Sequence, residues 1–181
     1  MIQNKISVAH SIIKGALSIS EKPFVAFSGG KDGLVVAHMV SRIIPDIQMV
    51  CEVSHTFDVV IEDIKKTADK YGFNVIFASE TKLISGYCSQ RQQRTLKKFQ
   101  KNGGYDCTFT GRTKWDNTVK APMYKTKHGL QAHPIRDFKE ADVWEYLRLH
   151  NIDVPLVYKS KFGERTGNAP FYAMGYKNKG C

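Results

Sequence analysis

The sequence predicts an α/β fold, a mostly parallel sheet held between two layers of helices, with an irregular C-terminal segment from about residue 151 to 181. Three observations carry that expectation. Short apolar runs alternate with amphipathic stretches at helical spacing, the order expected of a parallel sheet whose crossovers are helices. A Gly-Gly pair, Gly29-Gly30, lies directly between one such run and the helical stretch after it. The 181 residues are 42% hydrophobic and 24% charged, a balance that suits one domain with a real core and excludes a disordered or fibrous chain.

The elements follow in order. Ile6, Ala9, Ile12, Ile13, Ala16 and Leu17 recur at helical spacing, so residues 3–18 form an amphipathic helix. Pro23 introduces Phe24-Val25-Ala26-Phe27, a run of buried-strand type. A helix from Asp32 to Ile43 is broken by Pro45-Asp46, and Ile47 to Val53 is the second strand. Asp58 opens a helix through Ile61, Ile64, Ala68 and Tyr71, and Gly72 stops it. Asn74 to Ala78 is the third strand, and Leu83 to Gln100 is a helix rich in Arg, Gln and Lys. After the Asn102-Gly103-Gly104 turn, Asp106 to Thr110 is a fourth strand ending at Gly111. Residues 112–132 are polar and mixed, which predicts a long loop at the working edge. Glu140 to His150 is the last helix, and Pro155, Gly163, Gly167, Pro170 and Gly175 make the remainder irregular. In such a sheet, ligands bind beyond the carboxyl ends of the strands.

Charge narrows the partners. Lys and Arg number 27 against 17 Asp and Glu, a net +10, which favours a nucleotide, a polyphosphate or a nucleic acid. No apolar run approaches a membrane span, and Gln3, Asn4, Lys5 and His10 interrupt any signal-peptide pattern. A cytoplasmic protein with no membrane association is expected. Cys51, Cys88, Cys107 and Cys181 show no CxxC spacing and are expected as thiols, with Cys51 and Cys107 in the core. His128 and His133 have the spacing of half a zinc finger but lack a Cys pair for the other half.

The sharpest local feature is Ser28-Gly29-Gly30-Lys31-Asp32-Gly33. Adjacent glycines let the backbone approach an anion and adopt positive φ. The amides at the start of the next helix then face that anion, and the helix dipole favours its charge. Lys31 adds a full positive charge, and the Ser28 hydroxyl adds a donor. Asp32 caps the helix or holds a magnesium ion that bridges phosphate oxygens. The spacing is neither GxxxxGK[ST] nor GxGxxG.

The run Phe24 to Gly33, FVAFSGGKDG, resembles the PP-loop of the adenine nucleotide alpha-hydrolase-like superfamily, which implies a Rossmann-like three-layer sandwich. Within it the chain is similar to the phosphoadenosine phosphosulfate (PAPS) reductase family, which also includes the small subunit of bacterial ATP sulfurylase. Glu52 to Phe57 stands at that family's DTGxxF stretch, with Phe57 matching the aromatic. His133-Pro134-Ile135-Arg136-Asp137-Phe138, then Asp142-Val143-Trp144-Glu145-Tyr146-Leu147, resembles HPL-x-DW followed by DVWxYL, and Val154 to Tyr158 resembles a later Pro and Leu-Tyr segment.

Departures from the family pattern bear on the subtype. Gly33 stands where Ser is usual, and Thr113 occupies the central Arg place of G-x-R-x-x-E-S-x-x-R, with Asp116 and Lys120 at its Glu and last Arg. Arg112 or Lys114 then reaches the same anion, without the same bidentate fork where it is Lys. Asn168 replaces the Cys of G-x-R-T-G-C, and Cys88 has no neighbouring Cys, so no iron-sulfur cluster is expected.

The resemblance implies an adenine nucleotide, ATP or PAPS, bound with Mg²⁺, and Lys31 tilts the expectation toward ATP because ATP has a β,γ-pyrophosphate to grip. The implied chemistry is attack on the α-phosphorus with release of pyrophosphate. Lys31, Asp32 and Arg112 are the candidate catalytic residues. Phe27, Ser28, Gly29, Gly30 and Gly33 are expected around the phosphates, Val53, Phe57 and Gly111 around adenine and ribose. Lys114, Lys120 and Arg136 are expected at the acceptor oxyanion or α-phosphate. Two other classes stay open: a PAPS or adenylyl-sulfate reductase using Cys181 and an external thiol donor, and a non-catalytic nucleotide or nucleic-acid-binding module. A homo-oligomer or a partner subunit is compatible with each.

Overall fold

The computed structural model describes residues 1–53, 58–79, 88–115, 119 and 121–158, without the side chains of residues 88–93 and 157. Helix α1 is Ile2–Leu17, followed by β1 (Pro23–Ala26), α2 (Lys31–Ser41), β2 (Gln48–Glu52), α3 (Asp58–Tyr71), β3 (Asn74–Ala78), α4 (Cys88–Gly103) and β4 (Cys107–Phe109). Then come β5 (Met123–Thr126), β6 (Gly129–Ala132), α5 (Glu140–Leu149) and a 3-10 turn, Leu156–Tyr158. The sheet has six strands in the order β3-β2-β1-β4-β6-β5. All neighbours run parallel except β5, which pairs antiparallel with β6.

Right-handed crossovers dictate the layers. The chain moves outward from β1 to β2 to β3, placing α2 and α3 on one face, and then crosses back to β4, placing α4 on the other. Helices α1 and α5 join the first face, where α1 packs against β6, α2 against β1, and α5 against both helices. That face holds the main core, with Ile13, Leu34, Val35, Met39, Ile64 and Phe109 at most 1% exposed. Each such aliphatic side chain contributes about 1.5–3 kcal/mol through burial. Helix α4 packs over β2 and β3 on the opposite face.

The helix ends are set locally. Gly72 takes φ +65° and Phe73 N donates to Ala68 O at 2.8 Å, so α3 closes on a glycine at the expected stop. Asn151 at φ 50° does the same for α5, with Ile152 N donating to Leu147 O at 2.8 Å. Cys51 and Cys107 are core residues on β2 and β4, and burial pushes both thiols up to about 12.

The segment 112–132, expected as a long loop, is a loop only in part: its second half is the β5–β6 hairpin. The Lys127-His128 turn lacks the Asn-Gly or Asp-Gly that marks a two-residue hairpin, and the positive φ falls on Gly129 instead, at +118°. A Cβ on Gly129 would lie 2.4 Å from Asp106 O, so glycine is what lets β6 enter the sheet beside β4. Helix α4 extends to Gly103, beyond the expected end at Gln100. Among the described residues, no helix is long and apolar enough to cross a membrane.

Two expectations follow. A Cβ on Gly111 would meet backbone atoms of Asp32 and Gly33 at 2.6 Å, so Gly111→Ala should lose about 1–3 kcal/mol of stability in urea unfolding. His38 on α2 bonds Tyr146 Oη at 2.9 Å and lies 5.2 Å from the His150 ring. Burial, His150 and Arg42 hold its pKa at about 4 against 6.5 when unfolded, so this site's stability is complete above 6.5 and is lost as pH falls toward 4. The thermal midpoint should drop across that window, and drop less in His38→Gln; an unchanged slope would assign the acid sensitivity elsewhere.

Candidate functional site

The order 3-2-1-4 makes the seam between β1 and β4 the place where the winding reverses, and chains leaving the two strands diverge there. The loop after β1 and the segment after β4 bound a cleft of about 1260 Å³ that opens at this seam. Gly29 adopts φ +74°, and a Cβ on it would meet Ile64 Cγ1 at 2.4 Å, so α3 presses directly on the loop. Gly30 is the N-cap of α2 and supplies no side-chain cap, while Leu34 N closes the first helical bond to Gly30 O at 2.9 Å. An uncapped helix start, with its amides facing the seam, suits an anion. The Cβ of a residue at 33 would lie 3.7 Å from both Ser28 N and Oγ, ordinary contact distances.

Lys31 begins α2, and its side chain is 13% exposed. Its ammonium lies 3.0 Å from Asp32 Oδ2 and 3.7 Å from Glu140 Oε1, and 5.4 Å from the centroid of the Tyr158 ring. Burial works to lower the Lys31 pKa, but Asp32, Tyr158 and Glu140 together hold it above the ordinary lysine value. The ammonium therefore stays charged. Tyr158 is pushed up by burial, against the opposing effect of Lys31.

The two distant partners are delivered by separate elements. Glu140 stands in the first turn of α5, where Lys139 N donates to Asp142 Oδ2 at 2.6 Å, and Asp142 also pairs with Lys5 of α1. Tyr158 is brought in by α3: Leu156 N donates to Asp63 Oδ2, and Asp153 N donates to Tyr71 Oη, each at 2.8 Å. Trp144 of α5 packs edge-on against Tyr158, with ring centroids 5.4 Å apart.

Of the residues expected from sequence, Phe27, Ser28, Gly30, Lys31, Asp32 and Gly33 line the cleft, as do Gly111 and Arg112. Gly29 shapes the loop from behind, against Ile64. Val53, Lys114 and Arg136 do not line it. Val53 N donates to Ala78 O, while Arg136 and Lys114 meet at Asp137, 2.8 and 3.3 Å from its Oδ1. Phe57, Asp116, Lys120, Asn168 and Cys181 lie outside the described residues, as does the side chain of Cys88. His133 is buried behind the seam, its Nδ1 2.7 Å from Thr110 Oγ1. Glu140 was not expected at the site, and Tyr158 was matched to a motif without a role. Both reach Lys31 only through tertiary packing, so no local spacing marks them.

Among the described residues no group of three His, Cys, Asp or Glu side chains could hold a metal. Asp32, one of three carboxylates at this end of the cleft with Glu52 and Glu140, would suit a magnesium ion carried mainly by the oxygens of a bound phosphate.

A family model for the phosphoadenosine phosphosulfate reductase domain matches residues 22–181. Sulfate adenylyltransferase subunit 2 of Vibrio parahaemolyticus is 23% identical over 191 residues, covering 81% of this chain and 63% of that protein. The protein of the same name from Mycobacterium sp. (strain KMS) is 23% identical over 188 residues, covering 81% and 61%. The chain thus spans less than two thirds of the length of these relatives. Among solved structures, phosphoadenylyl-sulfate reductase from Candida auris, in a phosphate complex, aligns with a TM-score of 0.67 at 14% identity, covering 97% of this chain and 91% of that one. The tRNA thiolase NcsA of Methanococcus maripaludis, with its 4Fe-4S cluster, aligns with a TM-score of 0.62 at 12% identity, covering 85% and 66%. At these identities the structural likeness speaks for the fold alone.

The geometry around Lys31 makes one prediction. A phosphate ligand must compete with Glu140 for the ammonium, and Glu140 is 46% exposed, so the competition is modest. Glu140→Gln should bind inorganic pyrophosphate about two- to fivefold more tightly in calorimetric titration. Weaker binding would mean that Glu140 supports the ligand instead of opposing it.

Proposed function

The chain belongs to the phosphoadenosine phosphosulfate reductase domain family, and on that premise we propose that it binds ATP at the Ser28–Gly33 loop and directs cleavage at the α-phosphate, releasing pyrophosphate. The observation that carries the reading is Lys31, a charged and largely buried ammonium at the uncapped start of α2. A cation there suits the β,γ-pyrophosphate of ATP, which PAPS lacks. The relatives named as sulfate adenylyltransferase subunit 2 support the same direction.

In this reading Ser28, Gly29, Gly30 and Lys31 hold the leaving pyrophosphate, Gly33 adds its amide, and Phe27 walls the loop from below. Arg112, at the end of the β4 segment, neutralises charge developing at the α-phosphate. Asp32 would hold the magnesium ion that arrives with ATP, and that ion would neutralise phosphate charge. Phosphoryl chemistry of this kind asks for positioning and charge neutralisation more than for a protein nucleophile. Lys120 remains assigned to the acceptor side, and Phe57 and Gly111 to the base and ribose. Because the relatives are named as one subunit of an enzyme, a partner subunit in the cytoplasm goes with this reading.

Titration with ATP and with PAPS, each with magnesium, tests it on wild type and Lys31→Ala. ATP should bind, and binding should weaken about 10²-fold or more without the ammonium. Preference for PAPS, indifferent to Lys31, would overturn the ATP assignment and move attention to Cys181. Salt-sensitive binding of RNA or DNA without nucleotide turnover would support a nucleic-acid module instead.

A further inference from the structure

The cleft is larger than one small ligand needs, about 1260 Å³ against roughly 300–1,000 Å³ for typical ligand pockets. It does not stop at the loop. It continues down the α4 face of the sheet as far as Phe24 and the β5–β6 turn. Ser28 lies four residue steps along the extended chain from Phe24, so the two ends are about 13 Å apart.

The far end has its own chemistry. Phe24, Thr108, Gln131 and Tyr124 are successive register partners on β1, β4, β6 and β5, so they form one row on one face. Phe24 is apolar, but the next three carry polar atoms. Thr108 is 4% exposed, and its hydroxyl has no hydrogen-bond partner among the described residues. The pocket is preformed: Gln100 of α4 donates to His128 O and ties the helix to the hairpin turn. Lys97 and Lys127 stand on its walls beside Leu96. The carboxylates of the cleft, Asp32, Glu52 and Glu140, all belong to the loop end.

We propose that this end is a second binding site, for a small organic anion, separate from the nucleotide position. The two lysines meet the anionic head, Thr108 and Gln131 meet a hydrogen-bonding edge, and Leu96 takes the apolar body, with buried Phe24 forming the floor beneath. The site does not depend on what the loop binds.

Saturation-transfer NMR with benzoate tests the site, with benzyl alcohol and benzylamine as neutral and cationic counterparts. Benzoate should bind and the other two should not. Lys97→Gln with Lys127→Gln should weaken benzoate about tenfold, and Thr108→Val about two- to tenfold. Thr108→Val keeps the side-chain shape and removes a hydroxyl buried without a partner, so it should unfold no earlier than wild type. ATP should neither displace benzoate nor bind these variants less well. Absence of benzoate binding, equal binding of benzylamine, or displacement of benzoate by ATP would each overturn the proposal, the last by making this end part of the nucleotide position. Because benzoate binding is measured without nucleotide, its outcome holds even for a protein that fails to bind ATP.

Discussion

The site rests on one backbone approach. Gly111, just beyond β4, passes so close to the first turn of α2 that a single added carbon would lie 2.6 Å from Asp32 C and Gly33 N. That approach is possible only for glycine. It draws the exit of β4 against the start of the helix that carries Lys31, and so makes the reversal of the sheet a narrow seam. Gly29 does the complementary work from the other side, where Ile64 of α3 fills the space a side chain would take. The loop's geometry is thus enforced by close packing on two flanks as much as by its own composition.

The alternation of apolar runs with helical spacing was enough to place α1, β1, α2, β2, α3 and β3, because each buries a face whose period is written in its own residues. Gly72 announced the end of α3 because a left-handed residue there satisfies open carbonyls. The hairpin escaped for the converse reason. Its turn carries Lys127 and His128, its positive φ is displaced to Gly129, and each strand is only four residues long, so neither turn chemistry nor alternation flagged two strands.

The site divides along the same line. The place of Ser28 to Gly33 and Gly111 at the seam was legible because they directly follow β1 and β4. Glu140 and Tyr158 were not, since what brings them to Lys31 is the Asp142 bond that starts α5 and two hydrogen bonds donated to α3. Lys114 and Arg136 show the reverse: motif position suggested the cleft, yet both turn to Asp137. A charged side chain's sequence position says where its backbone is, and its partner decides where its charge is.

The pairing of Lys31 with Asp32 and Glu140 changes the meaning of the +10 surplus. Without a ligand, the cation most central to the loop already has its counter-ions built into the fold. A phosphate taken up there would exchange for a carboxylate, leaving dissolved salt little to compete for. The general surplus would act on a polyanion from a distance, whereas selection at the loop would rest on fit. An anion that cannot also reach the amides of α2 gains nothing by displacing the carboxylates.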